Sequence, residues 1–75
     1  MKRIDVISST IKSIGWEENK LEVEFQSGRI YLYDDIPLDT FQKIRISQSV
    51  GKTLRQDVIN IGKIGKKIYD PNQRE

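Results

Sequence analysis

Leu21-Glu22-Val23-Glu24-Phe25-Gln26-Ser27-Gly28-Arg29-Ile30-Tyr31-Leu32-Tyr33 decides how this chain folds. Leu21, Val23 and Phe25 alternate with Glu22 and Glu24, the period of a strand with one buried face. Tyr31 and Tyr33 then alternate with Ile30 and Leu32, so the stretch reads as a hairpin whose turn fixes the faces. A two-residue Ser27-Gly28 loop would set Phe25 opposite Ile30, but it demands positive φ of the serine. A three-residue loop needs it only of Gly28, where no side chain objects. The second geometry is preferred. It pairs Phe25 with Arg29, Val23 with Tyr31 and Leu21 with Tyr33. Both tyrosines then face inward with the aliphatics, and Ile30 and Leu32 share the other face with Glu22 and Glu24. A slip of one residue would exchange the faces completely.

Outward from the hairpin the signals are weaker. Val6-Ile7 opens the first strand, which runs through Ile11 and Ile14 with a bend at Ser8-Ser9-Thr10. Gly15 to Asn19 reads as a turn. Pro37 suits the first turn of a helix, where its missing N–H costs nothing. Asp39 lies where the helix dipole favours an acid. Leu38, Phe41 and Ile44 form its apolar stripe. Leu54, Val58 and Ile61 mark a second short helix, and Ile64 and Ile68 extend the same spacing past Gly62 and Gly65, each of which costs about 1 kcal/mol in a helix interior. The tail from Asp70 to Glu75 lacks apolar residues and is expected to be disordered.

The expected fold is therefore α+β: a three-stranded antiparallel meander, then two short helices packed on one face. The domain spans residues 5–62, and residues 63–75 form a basic extension and tail. The expected core is Val6, Ile11, Ile14, Leu21, Val23, Phe25, Tyr31, Tyr33, Ile36, Phe41, Ile44, Leu54, Val58 and Ile61.

With 75 residues the chain supports one small core. It has neither cysteine nor histidine. Disulfides, thiolate metal sites and the usual proton-transfer side chain near neutral pH are thereby excluded. No cofactor is expected. No apolar run is long enough for a membrane and no leader pattern opens the chain, so a cytoplasmic location is expected. The net charge of +2 is unevenly spread. Residues 1–36 hold five Lys/Arg against seven Asp/Glu, and residues 37–75 hold eight against four. A basic second half permits an anionic partner, though lysine-rich helix faces are ordinarily just solvated.

Tempting constellations fail on chemistry. Gly51-Lys52-Thr53 looks like the end of a phosphate-binding loop, but Ile46 stands where that loop needs its first glycine, and a helix precedes it. The plainer reading is a helix start capped by Ser49 or Thr53. Asp34 and Asp35 point to opposite faces if they lie on a strand. Glu22 and Glu24 share a face without a histidine or cysteine to join them, and read as a solvated edge. Ser8-Ser9 has no activating base. An enzyme is not expected.

The order of motifs resembles the KTSC domain, a short family named after the C-terminus of lysyl-tRNA synthetase, with other members that are small stand-alone bacterial or phage proteins. The resemblance covers roughly residues 7–60. It rests on Ser8-Ser9 and Ile11, Ile14-Gly15-Trp16, the alternation Leu21, Val23, Phe25, then Gly28, Tyr31-Leu32-Tyr33 as the Tyr-X-Tyr signature, Ile36-Pro37, and Ser49 with Gly51. Thr53-Leu54, Arg55 and Val58-Ile59 depart from the aromatic pair, asparagine and Ile-Arg usual there. The association with a tRNA synthetase implies RNA binding.

Two non-catalytic functions follow. In one, Lys52, Arg55, Lys63, Lys66 and Lys67 hold the phosphates of RNA or another nucleic acid, and Tyr31, Tyr33 or Trp16 stack on bases. In the other, Ile30 and Leu32 or a free strand edge bind a protein partner or a second copy. Packing is the bland alternative for the tyrosines, and Trp16 reads first as a cap on the core.

Overall fold

The computed structural model describes residues 2–59, 62 and 64–71. Its strands are β1 (Arg3–Asp5), β2 (Ile11–Glu17), β3 (Lys20–Phe25), β4 (Ile30–Tyr33) and β5 (Lys66–Tyr69). They form one antiparallel sheet in chain order. Between β4 and β5 come α1 (Leu38–Arg45), α2 (Val50–Leu54) and a π-helical turn over Arg55–Ile59.

The Gly28 hairpin has the expected geometry. Gly28 takes φ +92. Its N–H reaches Phe25 O at 2.9 Å, and Phe25 N–H reaches Arg29 O at 2.9 Å. Val23 faces Tyr31 and Leu21 faces Tyr33. Leu21, Val23 and Tyr33 are buried accordingly.

The α+β class and the two helices on one face hold, but the sheet has five strands, not three. The expected first strand is two. Val6 still donates to Lys12 O at 3.1 Å, Ile7 to Thr10 leave the sheet, and β1 pairs back on β2 with Arg3 opposite Gly15. A bulge between Ile11 and Ser13 explains their phase. Ile11 and Ile14 are three apart and could not share a face of a regular strand; one extra residue, Lys12, resets the alternation so that both are fully buried. The next turn is tighter than expected. Gly15, Trp16 and Glu17 belong to β2, and only Glu18 (φ 50) and Asn19 (φ 62) turn the chain. Both are left-handed, as a two-residue hairpin loop requires. Asp35 (φ 57) breaks extended geometry after β4, so the opposite-face argument for Asp34-Asp35 lapses.

Pro37 stands just before α1, with φ −65 and ψ 156. Of the α1 stripe, Ile44 is buried, Phe41 packs at the core margin and Leu38 stays exposed. Val50, absent from the expected core, joins Leu54 and Val58 against the inner face of the sheet. Ile61 lies outside the described residues.

The C-terminal segment departs most from expectation. Lys66–Tyr69 extend the sheet as an edge strand, not a helix. Asp70 binds Arg29 Nε at 3.3 Å and Lys67 Nζ at 3.2 Å, so it belongs to the fold and not to a loose tail. Residues 72–75 lie outside the described residues. Gly65 passes directly over Tyr33: a Cβ there would lie 2.6 Å from the ring. Only glycine lets the chain cross that ring at this height.

Candidate functional site

Gln26, in the hairpin turn, ties the adjacent loop down. Its N–H reaches Thr10 O at 2.8 Å, and its side-chain amide reaches Ser8 O at 3.1 Å and Ile11 O at 3.3 Å. Ser8 Oγ accepts from the N–H groups of Thr10 and Ile11, both at 3.2 Å. The loop is thus held from both sides although it lies outside the sheet.

Opposite that loop is the start of α2. Ser49 stands at its N-cap without a side-chain cap bond, and Thr53 is also not the cap. Instead the Ser47 and Thr53 hydroxyls share a 2.6 Å hydrogen bond, and Ser47 Oγ accepts from Ser49 N–H at 3.0 Å. A methyl group added at Gly51 would lie 3.7 Å from Ser8 Oγ, so helix and loop nearly touch there.

Between them runs a groove of about 730 Å³, lined by Ile7 to Ile11, Phe25, Gln48 to Lys52, Leu54 to Gln56 and Ile59. A second groove of about 450 Å³ is lined by Ser9, Thr10, Phe25, Ser27, Arg29, Tyr31 and Tyr33. Ser9, Thr10 and Phe25 line both, so the two form one bent track. Phe25 and Tyr31 meet edge to face in it, with ring centroids 5.6 Å apart.

The expected nucleic-acid residues divide sharply. Lys52 and Arg55 line the first groove and are exposed, and among the described residues neither has a carboxylate within ion-pair distance. Lys66 and Lys67 lie instead on β5, and Lys67 is engaged by Asp70. Lys63 lies outside the described residues. Tyr31 is half-buried and lines the second groove. Tyr33, only 4 % exposed, offers no open ring face for stacking. Burial, and secondly the neighbouring Tyr31, raise its pKa above the ordinary 10.0. Trp16 serves the core: its indole N–H donates to Ile36 O at 2.7 Å, and it lines neither groove.

Ile30 and Leu32 lie on the outer face, half-buried beside β5, so β4 is not an edge. Glu22 and Glu24 are not a solvated edge either. Arg3 reaches them at 3.3 and 3.8 Å, Ser13 Oγ donates to Glu24 at 2.9 Å, and their side chains are 13 % and 18 % exposed.

Sequence reasoning missed Arg29, Phe25, Ser9 and Thr10 as groove residues. The polar run Ser8-Ser9-Thr10 between apolar neighbours was the available signal, since a strand interior gives no reason for three hydroxyls in succession. Among the described residues no cluster of His, Cys, Asp or Glu could hold a metal. None of the described helices is long and apolar enough to cross a membrane.

Comparison with known proteins agrees with the motif order. The profile of the KTSC domain family matches residues 7–60. An uncharacterised protein of Stutzerimonas stutzeri (strain A1501) is 38 % identical over 58 residues, covering 75 % of this chain and 82 % of its own. The crystal structure of a KTSC domain protein from Yersinia pestis superposes with a TM-score of 0.79 at 31 % identity, covering 91 % of this chain and 97 % of that one. The chain therefore belongs to the KTSC domain family.

Proposed function

We propose that this chain is a non-catalytic module that binds single-stranded nucleic acid, RNA foremost, along the bent track. The supporting observation is the composition of that track: Lys52 and Arg55, free of carboxylate partners among the described residues, at one end; Arg29, which shares Asp70 with Lys67 and keeps part of its guanidinium exposed, at the other; and Phe25 with Tyr31 between them. Cations at intervals meet phosphates, and an accessible ring edge or face between them meets a base. The hydroxyls of Ser8, Ser9, Thr10 and Ser49 suit a ribose 2′-OH, which favours RNA over DNA.

Anisotropy of a labelled 12-nucleotide RNA at 50 mM salt tests the reading. Saturable binding that falls steeply by 200 mM salt is expected. Lys52→Glu and Arg55→Glu should each weaken it about tenfold, as expected when a phosphate contact is reversed in sign. No saturation at 50 mM salt, or equal binding by both variants, would remove it. One observation favours a protein partner instead: Ile7, wholly exposed, stands on the groove lip with exposed Ile59 in the same lining. RNA binding unchanged in Arg55→Glu but abolished in Ile7→Ser would move the account in that direction.

A further inference from the structure

Both helices pack on the inner face of the sheet, and the outer face is built of rows running across the strands, with a bulge in the β4–β5 pairing between Ile30 and Tyr31 that sets Lys66 and Tyr69, three apart, opposite Leu32 and Ile30 on one face. One row reads Arg3, Gly15, Glu22, Leu32, Lys66, from β1 to β5. The next reads Asp5, Ser13, Glu24, Ile30, Tyr69. Directly opposite residues share a face, so each row is a line of neighbouring side chains. In both rows the β4 residue is aliphatic, with an acid on its β3 side. On the β5 side stand Lys66, exposed and without an ion pair among the described residues, and Tyr69, 54 % exposed.

This arrangement is complementary to itself. A two-fold axis along β4 keeps strand direction and lays β5 of one copy over β3 of the other. Leu32 and Ile30 then meet their own counterparts, and Lys66 and the Tyr69 hydroxyl come over Glu22 and Glu24, two carboxylates that share the single Arg3 of their own copy and so keep a net negative charge. An axis along β3 would instead bring like acids together. We infer that a second copy of this chain docks on the outer face through Ile30, Leu32, Lys66 and Tyr69, with β4 on the two-fold axis. Twisted sheets stacked this way cross at about 30°, which keeps the β4 residues central and the flanking charge pairs at the rim. Strands about 4.8 Å apart and rows about 7 Å apart make the patch a few hundred Å² per copy, below the roughly 800 Å² of a stable complex. The dimer is therefore weak and reversible, in the class of small transient interfaces.

Sedimentation equilibrium of the full chain up to about 2 mM, at low salt, tests it. A monomer–dimer equilibrium is expected. Lys66→Glu, at an exposed edge position, should weaken it at least fivefold while far-UV dichroism stays unchanged. Lys52→Glu, in the groove, should leave it as it is. A monomer throughout, or a dimer indifferent to Lys66→Glu, overturns the inference; a dimer lost in Lys52→Glu does so as well, by placing the interface at the groove. The result is independent of RNA binding, because the two surfaces share no residue.

Discussion

On the inner face of the sheet Ile14 lies opposite Val23, and both are sealed from solvent. One residue along the same strands, Gly15 lies opposite Glu22, in a row that carries charges at Arg3 and Lys66. Strand alternation thus divides the molecule. The inner face supplies the apolar burial that holds a small chain together. The outer face is held by polar contacts of low net value, and can carry recognition without endangering the fold. The Ser8–Thr10 loop, α2 and the π-helical turn escape the alternation altogether, and the exposed Lys52 and Arg55 lie on the last two.

The contrast can be broken most forcefully at Ile14. Ile14→Ala should cost about 2–5 kcal/mol in urea denaturation, the range for a large-to-small change in a closed core. Ser13→Ala, its neighbour on the outer face, is also buried but loses only the bond to the Glu24 carboxylate, which keeps Arg3, and should cost about 1.5 kcal/mol. Equal losses at the two positions would contradict the division of the faces.

Gly65→Ala probes where the inner face is closed by β5. The added methyl would press on the Tyr33 ring, and overpacking of this kind costs about 1–3 kcal/mol. Protection of the β4 amides from hydrogen exchange should fall with it.

A smaller effect concerns pH. Tyr33 has a raised pKa in the folded chain, so above pH 10.0 the unfolded chain releases its proton first. The unfolded state then binds fewer protons than the native state, and stability falls as pH rises. The Tyr33 contribution is complete below the ordinary tyrosine pKa and is lost as pH climbs through the folded value. In Tyr33→Phe this part of the alkaline slope should vanish. An unchanged slope would show that Tyr33 ionises as freely as an exposed phenol. Smallest of all, Arg3→Ala should cost under about 1 kcal/mol, since its ion pairs remain partly solvated.

How much was legible depended on whether local signals agreed. At the Gly28 hairpin, alternation and a glycine requirement pointed to one register, and the faces followed. At Glu18-Asn19 no glycine announced the left-handed pair; Asn19 adopts that region readily, and cross-strand pairing of Glu17 with Lys20 imposes it on Glu18, which does not. β1 is only three residues long, too short for alternation to register. β5 was hidden by its own composition: an edge strand carries lysines for solubility, and Lys66-Lys67 with Ile64 and Ile68 also matched a solvated helix. The site was legible in part. Lys52 and Arg55 were named from charge alone, and α2 with its following turn brings them to one groove. Tyr31 and Tyr33 were indistinguishable in sequence; the Gly65 crossing buries the second and leaves the first half-open. Arg29 and Asp70 are 41 positions apart, and only the β4–β5 pairing joins them.

Amide chemical-shift mapping with a 12-nucleotide RNA tests the central claim most directly, because it reads groove and outer face in one spectrum. The account predicts saturable shifts at Ser9, Thr10, Phe25, Arg29, Tyr31, Lys52 and Arg55, with Glu22, Glu24 and Leu32 unmoved. Shifts concentrated on the outer-face rows, or none at any position, would contradict it.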